Sequence, residues 1–274
     1  MPQSKYIEGI QELIDDRIRV FRIDNSITIR NLLVGNGDYP LADNLWYKVP
    51  DVVCLFVDIR NSTGLSATTH DKSTASIYEL FTGTAVRMFH QLGAGYIDIK
   101  GDGVFALFNS NQVHRALVAA VTFKTFATEK FLPLTKAKLN GAVSIGFHMG
   151  LDQKTVLVKQ VGIKDAEGRD RRKNEVWAGK TINMAAKLAA RSQDGEFLVS
   201  DRYYDRLSKK DYIQKTCGCV TNGNTAGGGV VDVWEMRDMS QEKSFDFDKA
   251  YSMKNCWCTT HGKEWAERIL AFDK

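Results

Sequence analysis

Ile7, Ile10, Leu13 or Ile14, Ile18 and Phe21 recur at helical spacing with acids and bases between them, which predicts an amphipathic helix over residues 4–21. Residues 22–50 have no clear period and carry the turn signals Asn36-Gly37-Asp38 and Tyr39-Pro40, as a cover or partner contact would. From Asp51 the pattern sharpens. VVCLFVDI is a continuous apolar run closing on an acid, which predicts a central strand delivering a carboxylate at its end.

Residues 72–92 read as one helix, with Asp71 as its cap, Ile77, Leu80, Phe81, Met88, Phe89 and Leu92 on one side, and Gly93 closing it. Tyr96 to Lys100, the tight turn Gly101-Asp102-Gly103 and Val104 to Phe108 read as a hairpin with a second acid at its tip. A helix over 111–127 leads to two strands, AVSIGFHMG and TVLVKQVG, then a polar loop over 164–174. Beyond it come a helix from Gly179, the strand EFLVS, a short helix DRYYDRL, and strands around 211–217 and 230–236. Two hairpins with intervening helices, and no strict βαβα alternation, predict an α+β fold with helices packed on a mixed or antiparallel sheet.

A chain of 274 residues, 43% hydrophobic and 26% charged, has material for one large domain with extensions. A formal charge of +4 is too small to argue for a nucleic-acid surface and suits an anionic small substrate. The chain has no apolar run of the roughly 20 residues that cross a bilayer and no signal-peptide core, so a cytoplasmic protein with no membrane partner is expected. Five cysteines, an odd number, argue against a disulfide framework. Cys54 reads as a buried strand residue. Cys217-Gly-Cys219 and Cys256-Trp-Cys258, followed by His261, have CxC rather than CxxC spacing, and a CxC pair on a strand puts both side chains on one face. That reading favours packed free thiols over zinc.

Asp58 at a strand end and Asp102 at a hairpin tip would meet if their strands are neighbours, making a site for hard cations. The small polar turn Arg60-Asn61-Ser62-Thr63-Gly64 follows, and the backbone amides of a helix opening there would receive phosphates.

FVDIRNST, IDIKGDGVFALF, VSIGFHMG and GKTINMAAKLAARS resemble, in order and spacing, the signature blocks of class III adenylate and guanylate cyclase catalytic domains, over about residues 50–237. The resemblance implies a ferredoxin-like, palm-type sheet with helices packed on it. It implies that Asp58 and Asp102 hold two divalent metal ions, with the Ile59 carbonyl on one of them. It makes Asn183 the ribose-orienting asparagine and places Lys187, one helical turn on, where the family usually has an arginine for the transition-state phosphate. Lysine supplies charge without the bidentate fork. Family members share each site between two catalytic domains, so a chain with one such domain is expected to form a homodimer with composite sites.

The base pocket departs from the familiar members. Four residues before Asp102, where adenylate cyclases have lysine and guanylate cyclases glutamate, stands Asp98, and the partner position falls on Val176 beside Glu175. A carboxylate accepts from uracil N3–H or from the cytosine amine. The single-domain layout, this pocket and the WAGKTIN variant resemble the pyrimidine cyclases of bacterial Pycsar anti-phage defence. That subfamily makes cyclic UMP or cyclic CMP with manganese, magnesium being the alternative, as a signal to a separate effector. UTP is favoured over CTP.

Trp46 and Tyr47 precede the metal-bearing strand, and Tyr47 is the candidate to stack on the base, with buried anchoring of the N-terminal segment the equal alternative. The family's triphosphate lysine has no counterpart in NGNTAGGGVVDVW, and Arg169, Arg171, Arg172 and Lys173 form a basic loop that reads as solvated. His148 reads as a satisfied strand histidine. The expected organisation is an N-terminal helix and cover at 1–49, the catalytic domain at 50–237 and a C-terminal extension at 238–274. A nucleotide-sensing module without activity, an adenylate or guanylate cyclase and a diguanylate cyclase or polymerase on a related fold are the rival readings.

Overall fold

The computed structural model describes residues 3–31, 39–164, 167–219 and 229–273. The chain divides into two compact units, Met1–Pro50 with Val156–Ala178, and Asp51–Thr155 with Gly179–Lys274.

The elements run α1 (Gln3–Phe21), β1 (Ser26–Ile29), β2 (Leu45–Arg60), α2 (Ser62–Thr68), α3 (Asp71–Tyr78), α4 (Thr84–Gln91), β3 (Tyr96–Lys100), β4 (Gly103–Phe108) and α5 (Val113–Phe126). Then come α6 (Leu132–Leu139), β5 (Gly146–Lys164), β6 (Asp170–Ala178), α7 (Lys180–Arg191), β7 (Phe197–Ser200), α8 (Asp201–Tyr204), α9 (Asp211–Gln214), β8 (Trp234–Asp238), β9 (Lys249–Met253) and α10 (Gly262–Leu270). The strands are hydrogen-bonded in the order β3-β4-β2-β5-β7-β9-β8, with β1 on β2 and β6 on β5. β1/β2 and β5/β7 are parallel and β2/β4, β3/β4, β5/β6, β7/β9 and β8/β9 antiparallel, so the expected mixed sheet is observed.

In the larger unit, strand periodicity sorts residues between two faces. Val53, Leu55, Val57 and Ile59 of β2, Val104, Ala106 and Phe108 of β4, and Phe147, Met149 and Leu151 of β5 join one buried cluster with Phe81, Phe89, Phe123 and Phe131 from the helices. The alternate residues, Phe56 and Asp58 on β2 and Gly103 and Phe105 on β4, therefore face the other way. Helix α7 packs on that second face at Gly150, where a Cβ would lie 2.1 Å from the Ala185 carbonyl oxygen and 2.4 Å from the Ala189 nitrogen. A glycine is required because the helix backbone already fills the space. Phe56, Asp58 and Asp98 stay partly exposed.

The smaller unit holds α1, β1, the first residues of β2, the outer half of β5, and β6. Tyr39 and Tyr47 pack with ring centroids 5.2 Å apart, Trp177 meets Tyr39 edge-on, and the Arg30 guanidinium lies 4.2 Å from the Tyr47 ring centre. Ile10, Leu13, Ile14, Ile18 and Phe21 on α1 are exposed.

Several element boundaries differ from the sequence expectation. β2 starts at Leu45 rather than Asp51, running through Pro50 with Asp51 at φ 51, where the Asp51 carbonyl accepts a hydrogen bond from Gln153 Nε2 at 3.0 Å. The two strands expected in 142–162 are one, β5, and the expected polar loop gives way to β6 from Asp170. The helix over 72–92 is interrupted by a π turn at Glu79–Gly83, and its N-cap is His70, with Asp71 the first helical residue. Residues 211–214 are the short helix α9 rather than a strand, while β9 and α10 had no counterpart in the expectation. No helix among the described residues is long and apolar enough to cross a membrane.

Candidate active site

The β2/β4 register sets the site. Val57 stands opposite Val104, so the next step of the ladder brings Asp58 to Gly103, the residue after Asp102. The β3/β4 hairpin closes Lys100 against Gly103, leaving Gly101 and Asp102 as a two-residue turn with Gly101 at φ 67. Glycine suits that first turn position because a side chain there would be strained. At Gly103 a Cβ would lie 3.0 Å from the Phe56 ring and 3.1 Å from Asp58 Oδ1. The glycine keeps room for the carboxylate.

Asp58 and Asp102 are within hydrogen-bond reach of each other. Burial, then the charge of Asp102, push the Asp58 pKa up to about 7, against a hydrogen bond with the Ile59 backbone that works the other way. Asp102 Oδ2 is buried and has no hydrogen-bond partner among the described residues. Two acids placed so, one with an orphaned oxygen, fit a pair of divalent cations, and the Ile59 carbonyl belongs to the same strand end. A cation replaces the proton that otherwise relieves the repulsion.

Asn61 adopts the left-handed conformation, φ 64, and opens α2. Its Nδ2 donates to the Ser144 carbonyl at 3.0 Å, and a Cβ on Gly64 would sit 2.5 Å from its Oδ1. Ser62 and Thr63 follow in the first turn, where backbone N–H groups lack intrahelical acceptors. The Arg60 side chain is committed elsewhere: Nη1 donates to Asp194 Oδ1 at 2.7 Å, Nη2 to the Ser192 carbonyl at 3.0 Å, and Nε faces His148 Nε2 at 3.4 Å. Burial and the Arg60 charge lower the His148 pKa, consistent with a neutral strand histidine.

On α7, Thr181, Met184, Ala185, Leu188 and Ala189 are buried while Asn183 and Lys187 lie on the exposed side. Lys187 Nζ donates to the Ser244 carbonyl at 2.7 Å. Asp98 sits on the edge strand β3, opposite Phe105. Its carboxylate pairs with Lys100 at 2.7 Å and accepts from the Ile99 N–H at 2.9 Å.

Tyr47 is almost fully buried and its ring is engaged by Tyr39 and Arg30, which matches the anchoring alternative rather than base stacking. Trp46 has Lys159 Nζ 5.9 Å from its ring centre. Val176 is exposed in β6, opposite Lys159, and Glu175 stands opposite Gln160. In the basic segment Arg169 donates to Glu167 at 2.9 Å. The Arg171 side chain, the Asn36-Gly37-Asp38 turn and residues 220–228 of the final hairpin lie outside the described residues.

Three features of the site were not anticipated. Gly103 and Gly150 are steric requirements, and the Arg60–Asp194 pair ties the end of β2 to the segment after α7. The first had a signal in the sequence, since Gly103 lies next to Asp102. The other two depend on contacts between residues distant in the chain.

The sequence profile described as the adenylate and guanylate cyclase catalytic domain matches residues 46–225. A protein named uridylate cyclase from Micromonospora echinofusca is 34% identical over 233 residues, 84% of this chain and 73% of that protein. Another of that name from Propioniciclava tarda is 34% identical over 248 residues, 87% of this chain and 77% of that protein. Among solved structures, the guanylyl cyclase Cya2 superposes with a TM-score of 0.54 at 14% identity, covering 76% of this chain and 93% of its own. The guanylyl cyclase domain of the RhoGC fusion protein from Blastocladiella emersonii gives 0.54 at 17% identity, covering 76% and 98%. That profile spans most of the chain and includes both juxtaposed acids, and the chain belongs to the adenylate and guanylate cyclase catalytic domain family.

Proposed function

We propose that this chain is a uridylate cyclase, converting UTP to 3′,5′-cyclic UMP and pyrophosphate. The observation that carries the chemistry is the half-buried Asp58–Asp102 pair with its orphaned oxygen. Support for the base comes from the two relatives named uridylate cyclase and from the carboxylate at Asp98, which accepts from uracil N3–H. Cytosine offers the same carboxylate an amine, so cyclic CMP is the alternative product.

In this reading Asp58, Asp102 and the Ile59 carbonyl hold two divalent ions, manganese favoured. Those ions supply charge neutralisation at the triphosphate and a more acidic ribose 3′-hydroxyl. The 3′-oxygen forms a bond to the α-phosphorus, the bond from that phosphorus to the bridging oxygen breaks, and pyrophosphate leaves with its electron pair. The hydroxyl proton passes to solvent. Asn183 orients the ribose, and Lys187 brings positive charge to the α-phosphate after leaving the Ser244 carbonyl. The backbone of Asn61, Ser62 and Thr63 receives phosphate oxygens, while Arg60 braces the turn through Asp194.

Asn183 and Lys187 present themselves outward, which supports a homodimer in which each chain's α7 completes the other's metal site. Residues 50–237 form the catalytic domain in this reading, with 1–49 as cover and 238–274 as extension. The cyclic nucleotide acts on a separate effector in antiviral defence, a role supported by the resemblance to the Pycsar cyclases. The test is incubation with UTP and manganese: cyclic UMP and pyrophosphate in equal amounts, lost on chelation and in Asp58→Ala, are expected, and unconsumed UTP would overturn the reading.

A further inference from the structure

We propose that Cys217, Cys219, Cys258 and His261 form a structural zinc site that fastens the segment after α9 to the start of α10. The ligand atoms of these four residues all lie within 4.8 Å of one another. The Cys219 and Cys258 sulfurs are 3.4 and 3.9 Å from His261 Nδ1. In a tetrahedral site with Zn–S of about 2.3 Å and Zn–N of about 2.05 Å, sulfur and nitrogen are separated by about 3.6 Å and two sulfurs by about 3.8 Å. The two sulfur–nitrogen distances bracket the former value, and all four ligand atoms lie close enough to share one ion after small side-chain adjustment.

Cys256, which the sequence grouped with the other three, is turned away. Its sulfur lies 3.4 Å from Lys124 Nζ, which also donates to the Lys254 carbonyl at 2.6 Å. Three thiols and one imidazole remain, one of the ligand sets of closed structural zinc sites. A disulfide would consume two sulfurs and leave the third thiol and the imidazole without purpose. Zinc uses all four: three thiols lose their protons to solvent, His261 binds through the lone pair of neutral Nδ1, and the four-coordinate centre carries one net negative charge.

Both halves of the cluster are braced, as ligands of a metal site need to be. Gly218 takes φ 82, so the chain turns between Cys217 and Cys219 rather than running on as a strand. Just before it, the Thr216 N–H donates to the Val231 carbonyl at 2.7 Å and Thr216 Oγ1 to the Gly229 carbonyl at 3.0 Å. On the other side the Gly262 N–H donates to the Cys258 carbonyl at 2.8 Å, closing the turn that carries both Cys258 and His261. Trp257 fixes that turn to α5, its N–H donating to Thr125 Oγ1 at 3.0 Å and its Nε1 to Thr122 Oγ1 at 2.9 Å. A side chain at Gly262 would meet the Trp257 Cβ at 2.7 Å, so the turn is closed as tightly as glycine allows.

The test is metal analysis of the full-length chain, purified under reducing conditions, dialysed against a mild chelator and analysed by inductively coupled plasma mass spectrometry. It is run on wild type and, to remove the carboxylate site, on Asp58→Ala. About one zinc per chain is expected in both. Cys219→Ser, Cys258→Ser and His261→Ala should each fall below about a fifth of that, whereas Cys256→Ser and Cys54→Ser retain it. Because a variant that unfolds also loses metal, cobalt is added to metal-stripped wild type, where a thiolate-to-cobalt charge-transfer band and intense tetrahedral d–d absorption are expected. Wild type that neither retains zinc nor gives the cobalt spectrum, zinc lost in Asp58→Ala, or zinc lost in Cys256→Ser would each overturn the proposal.

Discussion

Asp58, at the end of a central strand, and Asp102, in the turn of the neighbouring hairpin, lie within hydrogen-bond reach although a helical layer separates them in the sequence. Burial and this proximity hold the Asp58 proton until about pH 7 in the metal-free chain. An unfolded chain releases it near pH 3.9. The stabilisation from this group is complete below the unfolded pKa and is lost as the pH rises to about 7.

Metal-free protein will therefore show a falling Tm between about pH 4 and about pH 7, with this component absent in Asp58→Asn. Manganese affinity, measured by calorimetry, will rise with pH by up to about tenfold per unit below the Asp58 pKa, with proton release. Affinity independent of pH across that range would contradict the paired-acid description.

Gly150 lets α7 lie directly on β5. Gly150→Ala must displace the helix backbone, at a cost of about 2 kcal/mol or more in chemical denaturation. Cyclase activity will fall with it, because the displaced helix carries Asn183 and Lys187.

Asn183→Ala and Lys187→Ala change exposed positions, so each will leave stability within about 0.5 kcal/mol of wild type while kcat drops by roughly a hundredfold. Co-expression of Asp58→Ala with Asn183→Ala will recover roughly a quarter of wild-type activity. Half of the randomly assorted dimers are mixed, and each mixed dimer keeps one intact composite site. No recovery would place the complete site within one chain.

Asp98 is held by Lys100 and by the Ile99 N–H at the sheet edge. Asp98→Ala will lower kcat/KM for UTP by at least about tenfold through loss of an acceptor for N3–H. Asp98→Lys will turn the preference toward ATP, whose N1 needs a donor. An unchanged preference in both variants would move base recognition to other residues.

The acid pair was legible because each carboxylate follows a distinctive local pattern, a closed apolar run before Asp58 and a Gly-Asp-Gly turn around Asp102. Helices with a strong 3.6-residue period, α1 and α7, were equally plain. The first residues of β2 were not, since Pro50 and the positive-φ Asp51 mimic a strand boundary while the strand continues through them. Tyr47 leaves base stacking and buried anchoring equally open until Tyr39 and Arg30 are seen to enclose it. The Cys217, Cys219, Cys258 and His261 cluster needs the turn at Gly218, and alternating strand geometry gives no hint of it.

The most direct test of the central claim is a competition assay: wild type, Asp58→Ala and Asp102→Ala are each given equal amounts of ATP, GTP, CTP and UTP with manganese, and the cyclic products are resolved by mass spectrometry. The account predicts 3′,5′-cyclic UMP as the main product of wild type and none from either variant. A different main product would contradict the base assignment, and cyclic nucleotide from either variant would contradict the role of the acid pair.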